Sequence, residues 1–438
     1  MAAPDLVLAH AVGVRTDLPV PLPAVLAAGA AALLVSFAGL SLLWHRSRLH
    51  GERAGRLLPD PAQRLLDSRL LLGLGRAAAL LVALAVVGLA LLGPARSSEN
   101  VAPYAFYVTF WVGLVPLSLL LGGVWRAVNP LRTLYAGFAR VAGPPYAERA
   151  LPRLGLWPAA AFLLAYAWVE LVLPDRAVPT TLGLLLLGYA VVQLLAAGWY
   201  GPGWFAQGDA FEVWSSLLGR FSPLGRRADG RWVLRNPLDG VDGLPAAPGL
   251  AAFVLVAVGS TAFDGLTRAS WWLSTFSLTG DALLVPTAGL ALCVAGTAGL
   301  YALATSYAGR SAGIARPAAV FAHSVLPIAA GYAVAHYFSL LVFEGQQTWI
   351  LASNPLALDG VDLFGTYAHA IDFRVVSPGT VAAVQVAGVV LGHVLGVVLA
   401  HDRAVRLAPT RAQARRSQYP LLVVMVAFTV TALRLLLG

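Results

Sequence analysis

The chain has 438 residues, of which 58% are hydrophobic and only 12% charged, and its mean hydropathy is +0.75. That profile excludes an ordinary soluble domain and marks an integral membrane protein. No lysine occurs, so the 30 basic residues behind the net charge of +9 are all arginines, and their placement assigns them to membrane topology rather than to nucleic-acid binding.

Apolar windows of about 20 residues predict an all-α fold, a polytopic transmembrane helix bundle of about ten spans. In chain order these are 22–44, 75–93, 103–125, 155–173, 178–197, 249–267, 282–305, 317–343, 379–401 and 418–437. The opening MAAPDLVLAH lacks a basic stretch and a long apolar run, so no cleavable signal is expected and insertion starts from the first span. With the N-terminus outside, every arginine except Arg15, Arg96, Arg176, Arg268, Arg374 and Arg434 falls in or beside an inner loop. The positive-inside rule is then satisfied with both termini outside. Residues 1–438 read as one integral membrane domain, and arginine-rich, lysine-free composition suggests a GC-rich genome and a bacterial plasma membrane.

Three loops are longer than a tight helical hairpin needs. The first, about 45–74, is expected to end in an interfacial helix, with Leu66 and Leu70 one turn apart. The second, 198–248, forms an inner-side subdomain, with Trp199, Trp204 and Trp214 at the interface and a hairpin through Asp229-Gly230. Asp209 and Glu212, three apart on a helix there, are expected to face headgroups or Arg220, an acid/base carboxylate pair being the alternative. The third loop, 344–378, is outside. NPLDGVD (236–242) and NPLALDGVD (354–362) resemble each other, but Asn-Pro and Asp-Gly are ordinary turn chemistry and nothing else repeats. The single Cys293 excludes an intrachain disulfide and a cysteine-rich metal site.

The eighth span carries the strongest chemical signal. Tyr332, His336 and Ser339 fall on one stripe of an otherwise apolar helix, a stripe that should face protein or a cavity. Pro327 and Gly331 are expected to allow a kink, and His323 lies off the stripe toward the inner end. At about 1.5 Å per residue, His336 sits roughly 9 Å outside the midplane, with Glu170 of the fourth span and Asp264 of the sixth at similar depth. Isolated charges at that depth cost at least about 2.5 to 3.5 kcal/mol, so the three groups need mutual pairing, a metal or water. His10, Glu344, His369 and Asp372 lie in outer segments that could fold down above them. Structural pairing with arginine, a metal or catalytic centre, and a proton or ion pathway all fit this pattern.

In the ninth span Gly388, Gly392 and Gly396, followed by Ala400, form a smooth ridge for close helix packing. His393 lies off that ridge, and His401 is expected to snorkel beside Asp402 and Arg403. His323 and His393 differ in depth, so no haem is expected, and no nucleotide-binding fingerprint is present.

The stretches HAVGVRTDLPVPLP (10–23), GYAVAHYFSLLVFEGQ (331–346), SNPLALDGVDLFG (353–365) and GHVLGVVLAHDRA (392–404), with VNPLRTL (128–134) and GDAF (208–211), resemble a group of bacterial polytopic membrane proteins known as fenitrothion hydrolases. The likeness implies a membrane-bound enzyme that hydrolyses an organophosphate P–O bond. The reading that follows is a metal-dependent hydrolase of phosphotriester-like substrates at the outer face. His336, Asp264, His10 and His369 would hold a divalent ion, zinc or copper, and Glu344 or Glu170 would act as base. A transporter or a metal- or proton-handling permease is the alternative, and a structural subunit bound to a partner membrane subunit is a third. The expected partners are therefore the lipid bilayer, a small-molecule substrate and, in the third case, another subunit.

Overall fold

The computed structural model describes residues 21–142, 145–276 and 281–437. Among these residues nine helices are long and apolar enough to cross a membrane, and Trp157–Leu171 is a further, shorter apolar helix. The principal elements are α1 (Leu22–Leu43), α2 (Arg69–Leu92), α3 (Val101–Leu121), α4 (Trp157–Leu171), α5 (Pro179–Tyr200) and the short inner helix α6 (Ala210–Leu218). They are followed by α7 (Leu250–Thr267), α8 (Leu284–Ala312), α9 (Leu326–Phe343), α10 (Pro378–Leu407) and α11 (Arg411–Leu437). The chain is an all-α, multi-pass membrane protein. Gly29 of α1 packs against Leu433 and Thr429 of α11, which brings the start of the first span beside the end of the last.

Burial sorts the spans into centre and rim. The most apolar window of the α2 segment has none of its residues buried, whereas 72% of the window in the segment holding α9 is buried. An apolar helix with so little buried surface suits lipid contact, its outer end packing on α5 at Ala90 and Leu91, while α9 lies at the bundle's centre. Its tightest partner is α10. A methyl group added at Gly331 would stand 2.3 Å from the Gly388 carbonyl oxygen, one at Gly392 2.6 Å from that of Pro327, and one at Gly396 2.7 Å from that of Ser324. The glycine ridge thus brings two backbones into direct contact, as small-residue transmembrane interfaces do.

The α9 segment is interrupted near its inner end. A short helix (Pro317–Phe321) and a 3-10 turn (Ala322–Ser324) precede α9, and Pro327 sits in the first turn of α9, where its missing N–H costs no hydrogen bond. Gly331 serves close packing against α10.

The inner-side loops build more than the expected hairpin. Strands β2 (Leu224–Arg226) and β3 (Trp232–Leu234) pair through a turn with Gly230 at φ +80°, and β1 (Arg56–Leu57) from the first inner loop adds to β3. The sheet order is β1-β3-β2, antiparallel throughout. The expected Leu66 to Leu70 stack does not form on one helix. Leu66 ends a short helix from Asp60, and Ser68 then caps α2 by accepting from the Leu71 N–H. The two NPL segments also differ: Asn236 caps a helix (Pro237–Asp242), whereas Asn354 closes a loop by exchanging two hydrogen bonds with Leu358.

Candidate functional site

The polar stripe of α9 faces protein, as the pattern requires: Tyr332, His336 and Ser339 are all buried. Across from it, α7 presents Asp264, which is 3% exposed, and Arg268 one turn further on. His336 Nε2 and Asp264 Oδ2 are 2.5 Å apart. Two bare lone pairs would repel at that distance, so a proton lies between them. Arg268 Nη2 donates to both Asp264 oxygens at 3.3 and 3.4 Å, and lies 3.4 Å from His336 Nε2. Tyr332 stacks over the imidazole at 5.6 Å between ring centres, and Tyr337 meets its ring edge-on at 4.7 Å.

The remaining ring nitrogen decides the protonation logic. Among the described residues His336 Nδ1 is buried without a hydrogen-bond partner, as are the Tyr332 hydroxyl and Ser339 Oγ. A bare Nδ1 lone pair tolerates that position, whereas an Nδ1–H would be an unsatisfied buried donor costing about 1 to 3 kcal/mol. The resting arrangement is therefore a neutral imidazole whose Nε2–H donates to an Asp264 carboxylate held by Arg268. A second proton at Nδ1 requires water or another acceptor to reach it.

Glu170 of α4 is buried at the neighbouring position, close enough to Asp264 for their charges to act on each other. It lines a cavity of about 30 Å³ with Trp111, Tyr166, Trp214, Ser260 and Tyr337. The expected sharing of one level by Glu170, Asp264 and His336 is thus realised as two adjoining sites, with Tyr337 touching both.

The other expected site residues are placed elsewhere. Glu344 follows the last residue of α9, is 4% exposed, and has Oε2 without a partner among the described residues. His369 is exposed in the outer loop, where its N–H donates to the Thr366 carbonyl, and Asp372 pairs there with Arg374. Neither folds down over the pair. His10 lies outside the described residues. Among the described residues no three of His, Cys, Asp and Glu stand together as a metal-holding group. A divalent ion at His336 and Asp264 would take the place that the Arg268 guanidinium occupies.

Two polar clusters at the arginine-rich end were not legible as such. Asp209 and Glu212 do not face headgroups or Arg220. Both are buried, Asn129 Nδ2 donates to each at 2.8 and 3.0 Å, and Arg132 clasps Glu212 with two 2.6 Å bonds. Arg220 pairs with Glu52 instead. Burial and the adjacent Glu212 carboxylate push the Asp209 carboxyl up to about 6. His401 and Asp402 do not snorkel: they are 3% and 0% exposed. His401 contacts Gln418 and the Trp44 carbonyl, while Asp402 accepts from Trp44 Nε1, Ser47, the Arg48 N–H and Arg406. Arg403 and Arg406 in turn bind Asp242.

Compared with family models, with curated proteins and with solved structures, the chain matches none.

Proposed function

We propose that this protein is a proton-handling permease of the bacterial plasma membrane, in which the Asp264, His336 and Arg268 cluster is the protonatable centre. The observation that carries the reading is the 2.5 Å contact between His336 Nε2 and Asp264 Oδ2 inside the helix bundle. The cluster holds one mobile proton in a low-dielectric setting, with a cation beside it that opposes a second. Adding that second proton changes the local charge from neutral to +1, an unfavourable change in hydrocarbon that motion or hydration of the bundle relieves. Such a group drives a conformational or transport step because the two protonation states favour different surroundings.

The test is proton flux in proteoliposomes carrying a trapped pH-sensitive dye. Wild-type protein should dissipate an imposed pH gradient faster than empty vesicles, and Asp264→Asn should abolish the difference. Equal rates for wild-type and empty vesicles, with any candidate solute gradient supplied, would remove the reading.

A hydrolytic reading keeps one specific observation in its favour. A carboxylate that fixes an imidazole by one ring nitrogen is the arrangement by which hydrolases orient a general base. The likeness of GYAVAHYFSLLVFEGQ and the other stretches to fenitrothion hydrolases points the same way. In this reading His336 would accept a proton from a water that attacks the phosphorus of a phosphotriester at the outer face, one P–O bond breaking to release an alcohol or phenol that takes up the proton. A zinc or copper ion, held by His336 and Asp264 in place of Arg268, would supply an activated water. Phosphotriester turnover by detergent-purified protein, lost in His336→Ala, is the result that would establish it.

A further inference from the structure

The cavity beside Glu170 is lined by side chains that ask for a hydrogen-bonding occupant. Among the described residues Trp111 Nε1, Trp214 Nε1 and the Tyr166 hydroxyl are buried in the cavity wall; the Tyr166 hydroxyl faces the Glu170 carboxyl and Trp111 Nε1 the Tyr337 hydroxyl, both short of good hydrogen-bond geometry, and Trp214 Nε1 is without a partner. An N–H buried dry costs about 1 to 3 kcal/mol, a penalty that falls in full on Trp214 and that a water accepting from it and from the poorly aligned Trp111 N–H would relieve. The cavity's volume of about 30 Å³ exceeds the roughly 10 to 15 Å³ that one water requires. Donors on one side and a carboxylate on the other match a molecule that both accepts and donates. Water does this, and a bare cation or anion does not.

The backbone supports the same assignment. Trp111 lies in a π-helical stretch, Tyr104–Val112, in the middle of α3. Pi-helical turns recur at functional sites because they displace side chains from the positions an α-helix would give them. Here the wide stretch sends Tyr107 to the Arg176 carbonyl and puts Trp111 against Tyr166 at 4.7 Å between rings.

We infer that this cavity is a water site in which Glu170 exchanges its proton with bound water, the indole N–H groups of Trp111 and Trp214 fixing that water by donating to its oxygen. The step balances as carboxylic acid plus water giving carboxylate plus hydronium, and it reverses when the proton returns. The charged and titratable groups that bear on Glu170 are Tyr166 on its own helix, Asp264 on α7, Tyr337 on α9, Tyr107 on α3 and Arg176 beyond the end of α4. The site is distinct from the Asp264 and His336 pair and stands whether or not the protein moves protons across the membrane.

Hydroxyl-radical footprinting by X-ray radiolysis tests it, because buried side chains are labelled only where water touches them. Trp214, 3% exposed, should be modified well above Tyr301, which is 2% exposed and whose hydroxyl already donates to the Ala318 carbonyl, and Trp111, at 9%, should be labelled with it. The signal should fall severalfold in Ala333→Leu, which fills the cavity, and partly in the milder Ala333→Val. Wild-type labelling of both tryptophans no greater than that of Tyr301 would overturn the water site. Infrared difference spectra between two pH values test the proton: a carboxylic acid band lost in Glu170→Gln is expected, and its persistence in that variant would overturn the role of Glu170.

Discussion

Asp264 of α7 and His336 of α9 meet at 2.5 Å although 72 residues separate them in the chain, and Arg268 closes the third side of the contact. Each member of this cluster is tolerable in the bundle because of the other two. Removing one exposes the remaining charge to a low-dielectric surround.

Substitutions at the pair should therefore be strongly non-additive. Asp264→Ala leaves Arg268 and His336 without their shared acceptor, so His336→Ala on that background should cost much less than it costs alone. The double-mutant cycle, read by thermal unfolding in detergent, should show a coupling of about 1 to 3 kcal/mol. Additivity within about 0.5 kcal/mol would mean that the contact is energetically empty.

The α9 and α10 interface gives a packing prediction. Gly331→Ala puts a methyl group into the Gly388 carbonyl and should destabilise the protein by about 1 to 3 kcal/mol, whereas Gly39→Ala, with nothing within 4 Å of the added carbon, should be neutral. Comparable melting temperatures for the two variants would contradict the close backbone contact.

At the arginine-rich end Arg132→Ala should be among the most damaging single changes, since it leaves the buried Glu212 carboxylate with Asn129 alone; about 3 kcal/mol is expected. The adjacent Asp209 adds a pH dependence. Its carboxyl titrates near 6 in the folded state, above its ordinary 3.8, so the folded chain binds the proton more tightly than the unfolded one. Its favourable contribution is present in full below about pH 4 and is lost as pH rises through about 6. Asp209→Asn should flatten that part of the stability profile, and an unchanged profile would show that another group causes it.

Asp402 ties the first inner loop to α10 through Trp44, Ser47 and Arg48. Asp402→Ala should free this loop, and trypsin cleavage at the exposed Arg46 and Arg48 should accelerate about tenfold or more, as expected for loss of a charge-assisted hydrogen-bond cluster. Cleavage at the wild-type rate would place the anchor elsewhere.

The spans were legible because hydrophobic length is a strong and local signal. Most boundaries shift by only a few residues, the larger shifts arising where charged ends such as Arg69, Arg310 and Arg411 continue a helix beyond its apolar run. The glycine ridge of α10 and the polar stripe of α9 were equally readable, because both are periodicities within one helix. What the sequence hid is pairwise and long-range. Arg268 is four residues from Asp264, yet only the folded bundle brings His336 to both. Asn129 and Arg132 could not be matched to Asp209 and Glu212 from spacing, since 80 residues separate Arg132 from its partner Glu212. The cavity was invisible for a different reason: indole and phenol groups on an apolar helix look like packing until their polar atoms are found without well-aligned partners.

The most direct test of the proton-carrying pair is nitrogen-15 histidine NMR of the protein in lipid bilayers, with the His336 signal assigned by its loss in His336→Gln. His336 should rest as the tautomer protonated at Nε2, and should lose that tautomer preference in Asp264→Asn. A His336 signal from the Nδ1-protonated tautomer, or the same tautomer with and without the Asp264 carboxylate, would contradict a proton held between the pair.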